Sequence, residues 1–239
     1  MPPEIVFCET PEDVADAAAA LIFEDQAAAV EDSGIYHIAL SGGRTPRLLY
    51  EQLASEEWEK TMAWASWEIF WGDERAVPPD NPESNFHLAQ TTLLNRVEVG
   101  GVFRMQAELP NLQEAAEDYA RTLRARFGFG IPAFETLLLG MGPDGHTASL
   151  FPGHPALQSK ALVEVVEVKA PVPKRLTLTL PVLNRARHAI FLVTGEDKAE
   201  KVREILGGKD ATYPAALVRP EEGQCTWLLD EAASYLIRS

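Results

Sequence analysis

The sequence contains few thiols and no long apolar run. Its two cysteines, Cys8 and Cys225, stand near opposite ends of the 239 residues and follow no metal-binding or disulfide spacing, so we expect both to be reduced. No uncharged apolar stretch approaches the ~20 residues that a membrane span needs. The opening residues lack the basic segment and the apolar stretch of a signal peptide. Together these absences predict a cytoplasmic protein that does not contact a membrane.

Positive charge is scarce as well. The chain has 21 Lys and Arg against 36 Asp and Glu, which gives a net charge of −15. Nucleic-acid binding requires a basic face, and no such face stands out, so we expect no nucleic-acid partner. A small anionic ligand is compatible with this composition if a local cluster of cations holds it against the overall field.

Histidine is too sparse and too scattered to indicate a metal site. The five histidines are His37, His87, His146, His154 and His188. None has the H-E-x-x-H spacing or a cysteine partner, so we expect no catalytic metal. His37 and His188 fall within predicted strands, where we expect structural roles. The five tryptophans are interpreted as core or interface residues.

What the chain does have is a regular alternation of helical and strand patterns. Apolar residues at helical spacing predict helices over residues 11–32, 45–53, 84–94, 111–128, 196–206 and 231–238. Short apolar runs predict strands over residues 36–40, 67–71, 134–139, 161–166, 175–180, 188–193 and 226–229. This alternation predicts an α/β fold with a mostly parallel sheet covered on both faces. We expect the strand at 175–180 to be antiparallel or a satellite, and residues 1–239 to form a single domain.

The first predicted strand end carries a glycine-rich turn, Ser41-Gly42-Gly43-Arg44-Thr45-Pro46, which leads into a helix. Glycines let the backbone approach an anion, while hydroxyl groups, amides and the helix dipole supply favourable contacts. The pattern predicts a phosphate-binding loop. The alternative is an ordinary strand–helix turn, since Gly-Gly and Thr-Pro pairs are common in turns.

Three further positions place charge near strand ends. Asp73-Glu74-Arg75 follows the strand at 67–71, where a ligand cleft opens in α/β proteins; a solvated loop is the alternative. Arg175 begins a later strand, and Lys198 lies in the first turn of a predicted helix. A cation at a helix N-terminus opposes the dipole, which hints that an anion compensates there, although a surface lysine is the simpler interpretation.

The most informative strand end is the segment Gly140-Met-Gly-Pro-Asp-Gly-His146. An aspartate and a histidine lie in one tight turn after a strand of buried type. A histidine held there is suited to be a general base near neutral pH, with Asp144 orienting the imidazole of His146. A histidine that is merely satisfied on a loop is the alternative.

The same segment matches the dinucleotide-binding pattern G-x-G-x-x-G at Gly140, Gly142 and Gly145. That interpretation needs a long helix starting at the third glycine, with its N-terminus free for a pyrophosphate. Pro152 cuts any such helix short, and Asp144 would place negative charge against the phosphates. The sequence therefore favours the Asp-Gly-His interpretation over a nucleotide cofactor.

Four segments taken together resemble the family of 6-phosphogluconolactonases and glucosamine-6-phosphate deaminases. They are Leu40–Pro46, Trp71–Pro78 with Glu83–Phe86, Gly140–Gly153, and Lys174–Thr179 with Gly195–Ala199. They stand in the family's order and cover most of the chain. The resemblance implies a three-layer, modified Rossmann-like α/β fold and an activity without metal or organic cofactor. The deaminase branch continues after Asp-Gly-His toward Asn-Glu-Pro, whereas this chain has Ser149-Leu150-Phe151-Pro152, which favours the lactonase branch.

The resemblance also implies roles for individual residues. In the implied substrate-binding set, the glycine-rich turn, one arginine and one lysine hold a phosphate, and the others line the cleft near the sugar. The set is Ser41, Gly42, Gly43, Arg44, Thr45, Asp73, Asn85, Arg175 and Lys198. A catalytic set accompanies it, with His146 as the base, Asp144 holding its ring, and Arg75, a cleft residue near the sugar, or nearby amides stabilising the oxyanion.

The activity that the resemblance implies is hydrolysis of 6-phospho-D-glucono-1,5-lactone to 6-phosphogluconate, the second step of the oxidative pentose phosphate pathway. The expected partner is therefore a small sugar-phosphate lactone, and we expect a monomer or a weak homo-oligomer. Two alternatives stay open: a sugar-phosphate isomerase or deaminase on the same scaffold, and a protein that binds sugar phosphates without catalysis.

Overall fold

The computed structural model describes residues 2–208 and 212–238, in which ten strands alternate with nine α-helices. The strands are β1 (Glu4–Phe7), β2 (Tyr36–Leu40), β3 (Trp67–Trp71), β4 (Asp73–Arg75), β5 (Gly101–Val102), β6 (Thr136–Gly140), β7 (Val163–Glu167), β8 (Lys174–Leu178), β9 (His188–Val193) and β10 (Gln224–Leu229).

Eight of the described helices lie between strands, and the ninth follows β10. They are α1 (Pro11–Asp32), α2 (Arg44–Leu53), α3 (Glu56–Thr61), α4 (Asn85–Ala89), α5 (Leu112–Phe127), α6 (Leu180–Leu183), α7 (Ala199–Leu206), α8 (Pro214–Leu217) and α9 (Glu231–Ser234). Short 3₁₀ turns occupy Trp64–Ser66, Pro155–Gln158 and Glu196–Lys198, and a π-helical turn, Gln90–Leu94, continues α4.

Seven strands form one parallel sheet in the order β1-β10-β9-β6-β2-β3-β5. A parallel sheet is stable when both faces are covered, and the sequence provides for this by alternation along each strand. On β2, Ile38 and Leu40 join one apolar core with α1 and α2, while Ala39 between them joins the core on the opposite face, which includes α5. The predicted three-layer α/β architecture is confirmed.

The other three strands, β4, β8 and β7, form a small antiparallel sheet. The prediction that the strand near residue 175 is antiparallel or a satellite is therefore confirmed. β4 begins two residues after β3 ends, so the chain passes from the central sheet into the small one through Gly72. The small sheet thus lies beside the carboxyl end of the central one.

The observed bounds differ from the predicted ones at several element ends. Helix α2 begins at Arg44, with Gly43 as its N-cap at φ 117°, one residue earlier than the Thr45-Pro46 start that the sequence indicated. The strand predicted to reach residue 180 ends at Leu178, because Pro181 and the cap residue Thr179 start α6. The closing helix stops at Ser234, short of the predicted 238.

The two histidines expected to be structural pair with carboxylates, and three of the five tryptophans are fully buried. His37 Nδ1 lies 2.8 Å from Glu135 Oε2, and His188 Nδ1 lies 2.9 Å from Asp25 Oδ2. Trp67, Trp71 and Trp227 are among the largest fully buried side chains. Cys8 and Cys225 are free thiols. In the part of the chain that the structure describes, no helix is both long enough and apolar enough to cross a bilayer.

Candidate active site

Three loops predicted to carry functional residues meet at one edge of the central sheet. β6, β2 and β3 are neighbours and run in the same direction, so the loops after them emerge side by side, where α/β folds bind ligands. Between these loops and β8 lies a cavity of about 130 Å³. Its lining residues are Ser41, Gly42, Asp73, Arg75, Gly140, Met141, Gly142, His146, Ala148 and Arg175.

Six of the predicted site residues thus line one cavity, and the other six lie outside the lining. Those outside are Gly43, Arg44, Thr45, Asn85, Asp144 and Lys198. A larger and more apolar cavity of about 570 Å³, bordered by Ile205, Val218 and Trp227, contains none of the predicted residues. The small polar cavity is therefore the candidate active site.

The Ser41–Thr45 loop presents backbone amides at the start of α2. No side chain caps this helix end, so its first amides stay available to a ligand. The hydroxyl group of Tyr50 donates to the Ser41 carbonyl at 2.6 Å and accepts from the Ser41 amide at 3.1 Å. Burial raises the pKa of Tyr50, which keeps this hydroxyl protonated. Sequence reasoning missed Tyr50, which reads only as an apolar position of the helix.

Asp73 is the polar link between the loops. Its Oδ2 accepts from the Ser149 hydroxyl at 2.6 Å, and its Oδ1 accepts from the Asn85 amide group at 3.1 Å. Asn85 Oδ1 has no hydrogen-bond partner in the described structure, and a Cβ at position 42 would collide with it. Asn85 therefore lies behind the glycine-rich loop, and Gly42 allows the close approach.

Glu74 organises the same region from inside the protein. Its carboxylate accepts from the amides of Arg75, Asn85 and Phe86 at 2.7–2.8 Å and from the Ser84 hydroxyl at 2.9 Å. Burial raises the pKa of Glu74, and these four bonds oppose that effect. The residue fixes the start of α4 and hence Asn85, a structural role that a charge triplet in the sequence does not reveal.

Two arginines face the cavity from the small sheet. Arg75 on β4 and Arg175 on β8 stand directly opposite each other in the antiparallel register. Like charges at such positions repel, and burial, with a further contribution from Arg75, lowers the pKa of Arg175. Arg75 Nε is buried without a hydrogen-bond partner among the described residues. A pair of crowded cations with spare donor capacity is suited to an anionic ligand.

Two contacts hold the imidazole of His146, and a third holds its backbone. Asp144 Oδ1 lies 2.6 Å from Nδ1, and the ring stacks on Phe151 with centroids 4.2 Å apart. The Gly142 amide donates to the His146 carbonyl at 2.9 Å. With the carboxylate accepting from Nδ1–H, the lone pair of Nε2 is left for a substrate. Burial acts to raise the pKa of Asp144, but the charge and hydrogen bonds of His146 outweigh it and lower the pKa. Asp144 therefore stays ionised at neutral pH.

Gly145 is required in this turn by its backbone conformation and by packing. Gly145 has φ 81°, and a Cβ there would lie 2.8 Å from the ring of Tyr213. No helix starts at Gly145, because residues 141–154 turn back and the next helical turn is the 3₁₀ turn beginning at Pro155. The G-x-G-x-x-G match is therefore not a dinucleotide-binding turn.

Lys198 is the last residue of the 3₁₀ turn Glu196–Lys198. It immediately precedes α7, and its Nζ is paired with Asp197. The loop and the segment leading to Lys198 are joined by a hydrogen bond of 2.8 Å between the hydroxyls of Thr45 and Thr194. In the described residues no group of three or more acidic, histidine or cysteine side chains is arranged to hold a metal ion.

Comparisons with known proteins identify the family of this chain. The family model for glucosamine-6-phosphate isomerases/6-phosphogluconolactonase matches residues 9–227, and the chain belongs to this family. The 6-phosphogluconolactonase of Rattus norvegicus is 41% identical over 235 residues, covering 95% of this chain and 91% of the relative. That of Homo sapiens is 45% identical over 209 residues, covering 84% and 81%. The solved 6-phosphogluconolactonase from Trypanosoma cruzi is 29% identical, with a TM-score of 0.89 over 100% of this chain and 99% of that chain.

The packing of Gly142 gives a direct test of the His146 geometry. A Cβ at position 142 would overlap the His146 ring, whereas a Cβ at Gly72, outside the cavity lining, would make only an ordinary contact of 3.7 Å with the Leu40 carbonyl oxygen. We expect Gly142→Ala to reduce turnover by ~10²–10⁴-fold, as for a lost general base, and Gly72→Ala to stay within about twofold of the wild type. Circular dichroism would verify folding. Equal activity of the two variants would contradict this account of the turn.

Proposed function

We propose that this protein hydrolyses 6-phospho-D-glucono-1,5-lactone to 6-phospho-D-gluconate, the second step of the oxidative pentose phosphate pathway. The observation that carries the proposal is the Asp144–His146 pair beside a cavity lined by Arg75 and Arg175. A polarised imidazole provides a base, and the cations suit a substrate that is anionic and develops further negative charge. Membership of the family and relatives named 6-phosphogluconolactonase support this assignment.

In the proposed mechanism, neutral His146 acts as a general base through Nε2. Water attacks the lactone carbonyl carbon and gives a proton to Nε2, while the carbonyl π electrons move onto oxygen. When the carbonyl re-forms, the bond to the ring oxygen breaks, and His146 returns the proton to that oxygen. Asp144 keeps the imidazole oriented and stabilises its charged form. No covalent enzyme intermediate is required, because a lactone is an activated ester.

We propose that the phosphate lies at the Ser41–Thr45 loop. The amides at the start of α2 supply donors, and Arg44 is exposed at the same helix end. The Thr45–Thr194 contact places the segment leading to Lys198 next to this loop. Arg175 adds charge from the cavity side. These local cations would hold a dianionic substrate against the net charge of −15.

Replacement of His146 tests the proposed base. We expect His146→Ala to lower lactone turnover by ~10²–10⁴-fold, since the proton acceptor is lost, with secondary structure retained. The measurement is lactone consumption corrected for spontaneous hydrolysis. His87→Ala, on α4 and outside the cavity lining, is the matched control and should turn over normally. Full activity of the His146 variant would exclude the mechanism, and 6-phosphogluconate binding without turnover by the wild type would indicate a non-catalytic binding protein.

The same proposal excludes deamination of glucosamine 6-phosphate. Asp73 is the one carboxylate among the residues that line the described cavity, and both its oxygens are engaged by Asn85 and Ser149. A free acid for ring opening is therefore missing from this lining. We expect no release of ammonia from glucosamine 6-phosphate above the rate without enzyme, measured by a coupled ammonia assay. Sustained release would favour the deaminase branch.

Phosphate recognition is tested by removing Lys198. A charge-assisted hydrogen bond contributes ~1.5–3 kcal/mol. Lys198→Ala should therefore weaken the binding of the phosphorylated lactone by roughly tenfold or more, at ~1.4 kcal/mol per tenfold change in affinity. Turnover of unphosphorylated gluconolactone should barely change. Lys60→Ala, on the exposed helix α3, controls for loss of one positive charge. Equal losses on both lactones would mean that Lys198 does not act through the phosphate.

A further inference from the structure

Ala148 has an unusual backbone conformation beside the catalytic histidine. In the part of the chain that the structure describes, it is the one residue other than glycine with a positive φ, at 47°. Side chains make this region unfavourable, and such residues persist where the surrounding structure holds them, often at active sites. Ala148 lines the same small cavity as His146. The unusual backbone conformation therefore lies at the proposed active site.

The conformation belongs to a tight two-residue turn. The amides of Thr147 and Leu150 each donate to the other residue's carbonyl, at 3.3 and 2.9 Å. Ala148 and Ser149 are the central residues, and only the first has a positive φ, which is the pattern of a type II′ turn. Glycine is the usual residue at that first position, yet this chain has alanine.

Neighbouring contacts hold the turn in place on both sides. The Thr147 hydroxyl donates to the Gly140 carbonyl at 2.8 Å. Ser149 donates from its hydroxyl to Asp73 at 2.6 Å and from its amide to the Thr177 hydroxyl at 3.2 Å. The turn is therefore anchored to the central sheet, the second loop and the small sheet. This network can maintain the strained residue between the anchors.

The backbone amide of Ala148 differs from its neighbours in having no hydrogen-bond acceptor among the described residues. From residue 145 to residue 150, the amides of the other five residues donate to carbonyl, carboxylate or hydroxyl oxygens. For the Ala148 amide, the described structure contains no acceptor. The Thr147 carbonyl points into the turn to accept from Leu150, and in a trans peptide the N–H points the opposite way. The Ala148 N–H therefore points out of the turn.

Ala148 combines three properties of an oxyanion donor. It lines the cavity beside His146, its N–H points out of the turn, and no acceptor among the described residues engages that N–H. Its methyl group adds packing against an apolar core. We propose that the N–H of Ala148 is the oxyanion donor of the reaction. This inference rests on the proposed lactone hydrolysis and deepens it.

The donor acts at one defined step. As the oxygen of water bonds to the carbonyl carbon and its proton passes to His146, the carbonyl electron pair moves to the oxygen, which accepts from the Ala148 N–H. The bond strengthens as negative charge develops, so it lowers the barrier more than it aids substrate binding. When the ring C–O bond breaks and the carbonyl re-forms, the interaction weakens again.

The experiment replaces the amide with an ester, by incorporating L-lactic acid in place of Ala148 through nonsense suppression. This change removes the N–H and keeps the methyl group. We expect kcat to fall ~10²–10³-fold, as when an oxyanion donor is lost, with KM unchanged. The melting temperature should fall less than in an ester at Leu150, because the Ala148 amide has no acceptor among the described residues and the Leu150–Thr147 hydrogen bond is weakened but not removed. A kcat near the wild-type value would overturn the inference.

A matched ester at Leu150 is the control. It removes the Leu150 N–H that donates to the Thr147 carbonyl. The ester at 148 affects the same hydrogen bond, because it turns the Thr147 carbonyl into an ester carbonyl, which is a weaker acceptor. We expect it to lower the melting temperature and to leave most of kcat intact. Equal losses of kcat in the two esters would trace the effect to distortion of the turn and would overturn the inference.

Ala148→Gly provides a second variant that needs no unnatural residue. Glycine keeps the N–H and accepts the positive φ, so kcat should fall far less than in the ester at 148. A loss as deep as that of the ester at 148 would assign the effect to the methyl group and overturn the inference. Absence of turnover by the wild type would overturn the proposed function as well, whereas activity kept by the ester variant overturns only the role of this amide.

Discussion

The buried carboxylate of Asp73 is the interaction on which the arrangement of the site depends. One oxygen holds Asn85, which supports the glycine-rich loop from behind, and the other holds Ser149 in the turn after His146. Its negative charge also offsets the crowding of Arg75 and Arg175. A single side chain therefore connects all three strand-end loops, and the loss of a buried partner of this kind leaves several groups unsatisfied at once.

Much of this organisation could be predicted from the sequence because it depends on patterns that are local. Strands of apolar residues followed by glycine-linked polar clusters indicate where a parallel sheet opens a ligand site, and the structure brings Ser41, Asp73 and His146 to one cavity. The Asp-Gly-His spacing is short enough that the Asp144–His146 contact follows from chain geometry alone. The resemblance to a known family added the roles of these residues, which composition and spacing do not provide.

The features that could not be predicted depend on contacts that no local sequence pattern shows. β4 and β5 are three and two residues long, too short for a periodic pattern, so the register that opposes Arg75 to Arg175 was not visible. The sequence pattern makes Tyr50 one more apolar position on a helix, although its hydroxyl forms hydrogen bonds with the amide and the carbonyl of Ser41.

The pairing of β1 with β10 has a consequence for how the protein is made. β1 lies at the edge of the central sheet and is hydrogen-bonded to β10, so β1 leaves the ribosome well before the strand with which it pairs. During that interval its neighbouring helix α1 can already pack on α2, but the apolar residues Ile5 and Val6 have no strand beside them. Translation adds about 5–20 residues per second, which leaves this segment unpaired for many seconds. This edge of the sheet is therefore completed only after β10 has been synthesised, and the nascent chain is the state in which the edge is open to chaperones or to aggregation.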